Sequence, residues 1–520
     1  MFGESWLSGR RLALALGAIV ALAAALRFST LSLQSYWYDE ADTALLVSGS
    51  FGHMLHLIPS TEASPPLYYV LAWLWARVFG NGEVGLRAFS ALCGTGFVVV
   101  AFLIGRRLAG AAAGLATALL AAVAPFAVWY SQEARDYSLL TLLLALSLLS
   151  FIGLLAGEQS ARKWIAWTAW SALALATHYF AALLIAPMAA WLVLARLRRG
   201  EPAADGAPPA DQEPTADGAP PADHQPPPGP RAVVVSLGAL ALVAAALAPL
   251  ALHQHGMARQ AIIGSLQMRA LQLPKQLLVG YHSPGDRELA VVCAVIVAGA
   301  LVAVLRSARV RARALPLLAL LVASLVLIAV LAAAGLDYLD SRNMIGLIVP
   351  LIVLTGTGLA VARHARAGAA ALAVLTAIGV AVVIDVNATP SAQRDDWRGA
   401  IEALGTPLYA RAIVVTPGQG SAPFAFYLPD ARPLGGAAGA RVVEIDIVGM
   451  AARGSGETPI PPAPRVPALP GSFTLLALER SALYTIERFR APVAVAVSQA
   501  TLAAARLTQT QPLLYVQAAG

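Results

Sequence analysis

The stretch "LTLLLALSLLSFIGLLAG", residues 140–157, contains no charged side chain and decides the fold class. A helix needs about 20 apolar residues to cross the hydrocarbon core of a bilayer. Apolar runs of similar length recur along the 520-residue chain, whose mean hydropathy is +0.68 and in which only 12% of residues are charged. A soluble protein of this size would place polar faces between its buried elements. The sequence therefore predicts a polytopic membrane protein that is mainly α-helical.

The apolar runs predict about eleven membrane spans. They cover approximately residues 12–28, 88–105, 112–129, 138–157, 164–179, 181–197, 232–252, 289–306, 315–335, 344–362 and 367–385. The first run follows Arg10 and Arg11, as the apolar part of a signal peptide does. Its length and the lack of a clear small-residue cleavage site favour a span instead.

Clusters of basic residues indicate the orientation and the role of a further apolar segment, residues 65–80. The net charge is +7, and the arginines stand in short groups beside the apolar runs. Such groups are typical of the cytoplasmic side of a membrane, and we expect no nucleic-acid partner. Nearly all of the groups fall on one side if 65–80, which is short and rich in Trp and Tyr, lies at the membrane surface. We therefore predict an inner (plasma) membrane protein with a cytoplasmic N-terminus, a juxtamembrane helix at 65–80, and outer loops at 29–87, 130–137, 253–288 and 336–343.

Two other regions differ from the apolar runs. Residues 201–230 are rich in proline and contain a duplicated "ADGAPPAD", so a disordered cytoplasmic linker is predicted over 200–230 within a membrane domain of residues 1–386. After residue 386, "DDWRGAIEALG" predicts an amphipathic helix, and "RAIVVTPG", "ARVVEIDIVG" and "SFTLLALE" predict short buried strands. Residues 387–520 are therefore predicted to form a small extracytoplasmic α/β domain.

The stretch "YWYDEADTALLVS", residues 36–48, places Asp39 and Glu40 shortly after the first span. An ionisable group beside hydrocarbon is by default a functional candidate, although Asp39 is equally consistent with the N-cap of a helix. Other predicted outer loops supply polar side chains at the same membrane depth. They are Glu133, Arg135, Asp136 and Tyr137 in "YSQEARDYS", His178 in "THYF", and Arg342 in "DYLDSRN". Their convergence predicts a functional pocket at one face of the membrane.

The order of several motifs resembles that of a known group of enzymes. "YDEA", "SPPLYYVLAWLWARVFG", "RAFSALCG", "YSQEARDYSL", "THYF" and "DDWRGA" follow one another as in GT-C glycosyltransferases of families 39 and 83. This group includes the dolichyl-phosphate-mannose protein mannosyltransferases and the aminoarabinose transferases. The resemblance is close over residues 10–200 and looser beyond them. It implies a GT-C helical core and transfer of a hexose or pentose from a polyprenyl-phosphate carrier to a hydroxyl acceptor, which is a cell-wall glycan, a lipid or a protein.

The resemblance also implies roles for individual residues. Asp39 is expected to be the general base of a single, inverting displacement, with Glu40 beside it to bind the acceptor or hold a cation. Arg135 and Arg342 are candidate ligands of the donor phosphate, because an arginine stays charged and binds phosphate oxygens in pairs. For both arginines an interfacial anchor or an ion pair is the alternative, with Glu133 or Asp136 as the partner of Arg135.

The remaining residues and ligands carry weaker expectations. For Glu133 and Asp136 a role as arginine partners is favoured over catalysis, and for Tyr137 and His178 a role in packing or hydrogen bonding. No metal is expected to be obligatory, although a weakly bound divalent ion near Asp39 stays open. The sequence contains neither a P-loop nor a dinucleotide-binding glycine motif.

Two other classes of function compete with the transferase. A transporter or flippase for a lipid-linked sugar also needs polar groups within the membrane, but such proteins place them near the midplane of repeated halves. A receptor or assembly scaffold would rely on the C-terminal domain alone. The clustering of polar residues at one face and the absence of repeated halves favour the transferase.

Overall fold

The computed structural model describes residues 9–200, 230–260, 262, 264–282, 285–435, 439–451, 459–465 and 467–520. The predicted linker over 200–230 lies outside the described residues, apart from its two end residues.

The membrane domain is a bundle of helices of very different lengths. They are α1 (Arg10–Phe28), α2 (Tyr38–Ser48), α3 (Phe51–Thr61), α4 (Leu67–Phe79), α5 (Glu83–Ala109), α6 (Ala111–Val123), α7 (Pro125–Ser131), α8 (Tyr137–Leu155), α9 (Ala161–Thr177), α10 (Ala182–Gly200), α11 (Pro230–Gln260), α12 (Leu266–Val279), α13 (Asp286–Arg306), α14 (Ala308–Ala333), α15 (Ile348–Ala360) and α16 (Ala365–Ala388). Each predicted span coincides with one of these helices or with the pair α6 and α7. Eight helices of the described part are long and apolar enough to cross a membrane alone, and α6 with α7 makes a ninth. The mainly helical, multi-pass fold is therefore confirmed.

The bend between α6 and α7 is stabilised by a buried arginine. The two helices meet at an angle of 58°, where Pro125 has no N–H to continue the helical hydrogen bonds. Arg27, fully buried at the end of α1, donates from Nη2 to the carbonyl oxygen of Ala121 at 2.9 Å and from Nη1 to that of Ala122 at 2.8 Å. Its Nε donates to Ser131 at 3.1 Å. Arg27 thus fastens the end of α7 to the end of α1, just before the segment that carries Asp39.

Three short helices, α2, α3 and α4, join α1 to α5 and correspond to the first predicted outer loop. Helix α4 has 13 residues, about 20 Å of helix, which is too short for a hydrocarbon core of about 30 Å. The Trp75 indole donates to the carbonyl oxygen of Gly85 at 2.8 Å, and the Trp73 indole to that of Gly49 at 3.0 Å. These contacts fit the predicted short helix at 65–80.

The C-terminal region contains one mixed sheet with short helices. Its elements are α17 (Trp397–Leu404), β1 (Arg411–Thr416), α18 (Ser421–Tyr427), β2 (Arg432–Pro433), β3 (Ala440–Met450), β4 (Thr474–Arg480), β5 (Tyr484–Val497), α19 (Gln499–Ala504) and β6 (Leu513–Gln517). The strand order is β2-β6-β1-β3-β5-β4, and only β1 and β3 among the paired strands run parallel. Helix α17 begins where the sequence predicted it, with the Asp396 carboxylate accepting from the Gly399 N–H at 2.9 Å.

One strand prediction is wrong in its burial. The segment "SFTLLALE" was expected to be a buried strand, but every residue of β4 is exposed, and Leu475 is 55% exposed. The reason is its place at the edge of the sheet, where it pairs with β5 alone. An apolar run predicts a strand without telling a central one from an edge.

Candidate active site

Asp39 lies in the first turn of α2, whose N-cap is the extended residue Trp37 and not Asp39. The partial positive charge of a helix N-terminus favours a carboxylate at this position. The Asp39 side chain is 22% exposed, and its Oδ2 is 3.6 Å from Nη1 of Arg342. Arg342 is also 3.7 Å from Asp340 through its Nε. The structure thus brings Asp39 and Arg342 together as a loose, partly exposed ion pair.

Glu40, the neighbour of Asp39, does not take part in the pair with Arg342. It is fully buried and accepts from the Arg87 Nε at 2.7 Å and from the Ala134 N–H at 2.8 Å. Arg87 also donates to the carbonyl oxygens of Leu31 and Gln34, at 2.8 and 2.6 Å. Burial alone would raise the pKa of Glu40, but the Arg87 guanidinium, together with Arg394 and the Ala134 N–H, holds that pKa below its ordinary value. This geometry favours a positioning role for Glu40 over the predicted contact with a substrate.

The Arg135 side chain hydrogen-bonds to α2 and forms an ion pair with Glu62. Its Nη1 donates to Glu62 at 2.8 Å, to the hydroxyl of Thr43 at 3.1 Å and to the carbonyl oxygen of Asp39 at 3.4 Å. The Tyr69 hydroxyl donates to the same Glu62 carboxylate at 2.6 Å. The partner of Arg135 is therefore Glu62 and not Glu133 or Asp136, which corrects the pairing expected from the sequence. Arg135 is 6% exposed and supports the backbone of the proposed base.

Glu133 pairs with an arginine of the C-terminal region. Arg394 donates to Glu133 at 2.9 Å and lies 4.1 Å over the ring of Trp129. Burial raises the pKa of Glu133 to about 7, against the opposing pull of the Arg394 guanidinium. The predicted role of Glu133 as an arginine partner agrees with this geometry, while the partner itself carried no signal in the sequence.

The remaining predicted residues are Asp136, Tyr137 and His178, and all three are buried. Asp136 is fully buried, and its two carboxylate oxygens have no hydrogen-bond partner among the described residues. Tyr137 packs against His178, with 5.8 Å between ring centroids. The Nδ1 of His178 accepts from the Phe180 N–H at 3.2 Å, which places the proton of the neutral ring on Nε2. Packing accounts for Tyr137 and His178, as the sequence suggested.

Two cavities lie within the bundle and share Pro125 in their linings. The apolar cavity is lined by α6, α12, α13, α15 and α16, including Leu120, Leu277, Val297 and Ile352. The second cavity has more polar side chains, namely Trp129, Gln132, Tyr281, His282 and Asn387. The Tyr281 hydroxyl contacts that of Ser341 at 3.0 Å, and Ser341 directly precedes Arg342. Tyr281 thus links the polar cavity to the segment that carries Arg342.

Across the described residues, no group of three or more His, Cys, Asp or Glu side chains is arranged to hold a metal ion.

Asp42 makes the stability of the fold depend on pH. Burial raises its pKa to about 7, the Glu62 and Asp39 carboxylates add to this rise, and Arg135 opposes it. The pKa of an aspartate in the unfolded chain is about 4. The contribution of protonated Asp42 to stability is therefore fully present below pH ~4, and it is lost as the pH rises through about 7.

We expect Asp42→Asn to raise Tm relative to wild type by an amount that grows between pH 4 and 8. Thermal unfolding in detergent measures it, with the exposed Asp430→Asn as a control; a Tm difference independent of pH would contradict the assignment.

The comparisons with known proteins agree with this architecture. Residues 63–203 match the family model described as dolichyl-phosphate-mannose-protein mannosyltransferase. The structure resembles that of ArnT from Cupriavidus metallidurans bound to undecaprenyl phosphate, with 16% sequence identity and a TM-score of 0.50 over 79% of this chain and 84% of that chain. The archaeal oligosaccharyltransferase AglB from Archaeoglobus fulgidus, in complex with an inhibitory peptide and a dolichol-phosphate, shows 13% identity and a TM-score of 0.47 over 76% of this chain and 58% of that chain. No curated protein matches the chain.

The chain therefore has the GT-C fold of membrane glycosyltransferases, as the motif order predicted. Within that fold, its resemblance to the protein mannosyltransferases and the aminoarabinose transferases is confirmed. The matched segment begins four residues before α4, includes α4 to α10 and contains Arg135, whereas Asp39 lies outside it.

Proposed function

We propose that this protein is a membrane glycosyltransferase that moves a hexose or pentose from a polyprenyl-phosphate carrier to a hydroxyl acceptor on the extracytoplasmic face. The observation that carries the proposal is the pair formed by Asp39 and Arg342, in which a partly exposed carboxylate lies 3.6 Å from a guanidinium. A base and a phosphate ligand are the two groups that this reaction requires. The fold shared with ArnT, a protein whose structure contains undecaprenyl phosphate, supports the choice of carrier.

The reaction is a single displacement at the anomeric carbon. The acceptor hydroxyl attacks this carbon while Asp39 takes the hydroxyl proton, and the bond between the anomeric carbon and the phosphate oxygen breaks. The polyprenyl phosphate leaves with the bonding electrons, and Arg342 stabilises the negative charge that gathers on it. Because a phosphate leaves without being protonated by an acid, one base suffices. The sugar configuration is inverted, because the reaction is a single displacement. No metal is required in this scheme.

Other parts of the protein around the Asp39–Arg342 pair also have roles in the proposed reaction. The apolar cavity suits an isoprenoid tail, and the polar cavity beside it, which includes Tyr281, lies toward the proposed phosphate ligand Arg342. Glu40 and Arg135 hold the backbone of α2, so the Asp39 carboxylate does not have to be ordered during the reaction. We place the C-terminal domain outside the membrane, on the same side as the active site.

Transfer and transport give different products from the same lipid. Purified protein is incubated with several polyprenyl-phosphate sugars and a panel of glycan, lipid and peptide hydroxyl acceptors. We expect one donor to be consumed, with free polyprenyl phosphate and a glycosylated acceptor as products. Movement of intact donor between leaflets without release of polyprenyl phosphate would support a flippase and contradict the proposal.

Arg342→Ala is expected to lower turnover by on the order of 100-fold, because the leaving phosphate loses its charged donor. Arg342→Lys should recover part of the loss, since a lysine keeps the charge but cannot bind two oxygens with fixed geometry. Steady-state rates of polyprenyl phosphate release measure both variants. Arg287→Ala, which removes an exposed arginine near the start of α13, is the control. Equal rates for Arg342→Ala and the control would contradict the role of Arg342.

A further inference from the structure

Arg394 belongs to none of the four segments in which site residues were predicted. It lies between α16 and α17, in the segment that joins the last membrane helix to the C-terminal domain. We propose that Arg394 is a positioning residue for the loop of residues 131–136, here called the site loop, and that the C-terminal domain thereby completes the active site. This inference rests on the proposed function.

Arg394 is held from several directions and is 5% exposed. Its Nη2 donates to the Glu133 carboxylate at 2.9 Å and to the carbonyl oxygen of Trp129 at 3.1 Å. Its backbone N–H donates to the Gln34 side chain at 2.9 Å. The guanidinium also donates to the Gln34 side chain, from Nη1 at 3.4 Å. Arg394 therefore joins the end of α7 and the site loop to the segment that precedes Asp39.

The site loop in turn contacts the backbone and first turn of α2. The residue after Glu133 is Ala134, whose N–H donates to Glu40 at 2.8 Å. The next residue, Arg135, donates to the carbonyl oxygen of Asp39 at 3.4 Å and to the Thr43 hydroxyl at 3.1 Å. A displacement of Glu133 is thus transmitted along the chain to Ala134 and Arg135, and from them through hydrogen bonds to Glu40 and to the backbone of Asp39.

The same segment docks on the membrane domain through contacts that do not involve the site loop. The Ser35 hydroxyl donates to the carbonyl oxygen of Asp395 at 2.7 Å and accepts from the Trp397 N–H at 3.0 Å. Arg398 pairs with Glu83 and donates to the carbonyl oxygen of Ser32 at 3.1 Å. Arg398→Ala therefore weakens docking without touching the site loop, which makes it the matched control for Arg394.

The burial of Glu133 explains why loss of Arg394 should affect the site loop more than loss of Arg398. Glu133 is 1% exposed, and its second carboxylate oxygen has no hydrogen-bond partner among the described residues. Removing Arg394 leaves a buried carboxylate without its cation, so the site loop has to move or take up a proton. A displacement of about 1 Å at a reacting group can lower the rate on the order of 100-fold.

The test compares Arg394→Gln, Glu133→Gln, the double variant and Arg398→Ala in the sugar-transfer assay. We expect Arg394→Gln to lower kcat by on the order of 10- to 100-fold with an acceptor KM close to wild type. Glu133→Gln should lower kcat by a smaller factor, because the pKa of Glu133 is about 7 and the amide resembles its protonated form, although Arg394 then lacks an anionic partner. The double variant should regain activity relative to Arg394→Gln, because both charges are then gone. Arg398→Ala should keep kcat near wild type. Equal kcat losses in Arg394→Gln and Arg398→Ala, or a double variant no better than Arg394→Gln, would overturn the inference.

A second readout separates this inference from the proposed function. The rate at which a water-soluble carbodiimide labels Asp39, measured by mass spectrometry, should change in Arg394→Gln and Glu133→Gln but not in Arg398→Ala. Wild-type protein without transferase activity would contradict the proposed function, while this labelling pattern would still support the positioning role. Unchanged labelling in both site-loop variants of an active enzyme would overturn the positioning role alone. Glu133→Gln keeps the test decisive if Arg394→Gln does not fold.

Discussion

Asp39→Asn is expected to lower the rate of sugar transfer by on the order of 10²- to 10⁴-fold, with the protein still folded and inserted in the membrane. The amide has nearly the same shape as the carboxylate but cannot take the proton of the acceptor hydroxyl. Asp39 is 22% exposed, and its charge partner Arg342 is 3.6 Å away, so the substitution leaves no deeply buried charge behind. The rate of polyprenyl phosphate release in a defined assay measures the effect.

The matched control for Asp39→Asn is Asp42→Asn, one turn further along the same helix. Because burial raises the pKa of Asp42 to about 7, its amide variant resembles the protonated form that is already present near neutral pH. We expect the control to retain activity within a few-fold of wild type. Normal turnover by Asp39→Asn, or an equal loss in both variants, would contradict the role of Asp39 as base.

Glu40→Ala is expected to destabilise the protein by about 3–5 kcal/mol, because it leaves Arg87 as a buried charge without its partner. Both side chains are almost completely buried, and the Glu40 carboxylate also accepts the Ala134 N–H. The loss should therefore appear as a lower unfolding free energy and not as an inactive but stable enzyme. Unfolding by denaturant in detergent micelles, followed by fluorescence, measures it.

The pair formed by Glu158 and Arg107 provides the control for Glu40. It has a similar distance, 2.7 Å, but its side chains are 42% and 35% exposed. Glu158→Ala should change stability by only about 0.2–1 kcal/mol, as expected for a surface pair. If Glu40→Ala keeps wild-type stability and abolishes transfer, Glu40 contacts a substrate and its assignment as a positioning residue is wrong.

The membrane spans could be predicted because their signal is local. An uncharged run of about 20 residues such as 140–157 has to be a buried or membrane-spanning helix whatever surrounds it. The start of α17 was equally predictable, since its capping residue Asp396 directly precedes an amphipathic pattern. The burial of β4 was not, because a strand at the edge of a sheet and one at its centre show the same apolar pattern.

The ion pairs of the site could not be predicted, because their partners are far apart in the sequence. Glu62 and Arg135 are 73 residues apart, and Glu133 and Arg394 are 261 residues apart. A single sequence marks each of these residues as an unusual charge near an apolar run, without indicating which cation meets which carboxylate. The sequence did place Asp39 and Arg342 at one membrane depth, and the structure brings them to 3.6 Å.

The most direct test of the central claim uses proteoliposomes of known orientation, with a polyprenyl-phosphate sugar in the bilayer and a membrane-impermeant acceptor on one side only. A protease-accessible tag at the C-terminus reports which side holds the C-terminal domain. The account predicts that wild-type protein releases polyprenyl phosphate and glycosylates the acceptor only on that side, and that Asp39→Asn does neither. Transfer to an acceptor supplied on the opposite side, or equal transfer by Asp39→Asn, would contradict it.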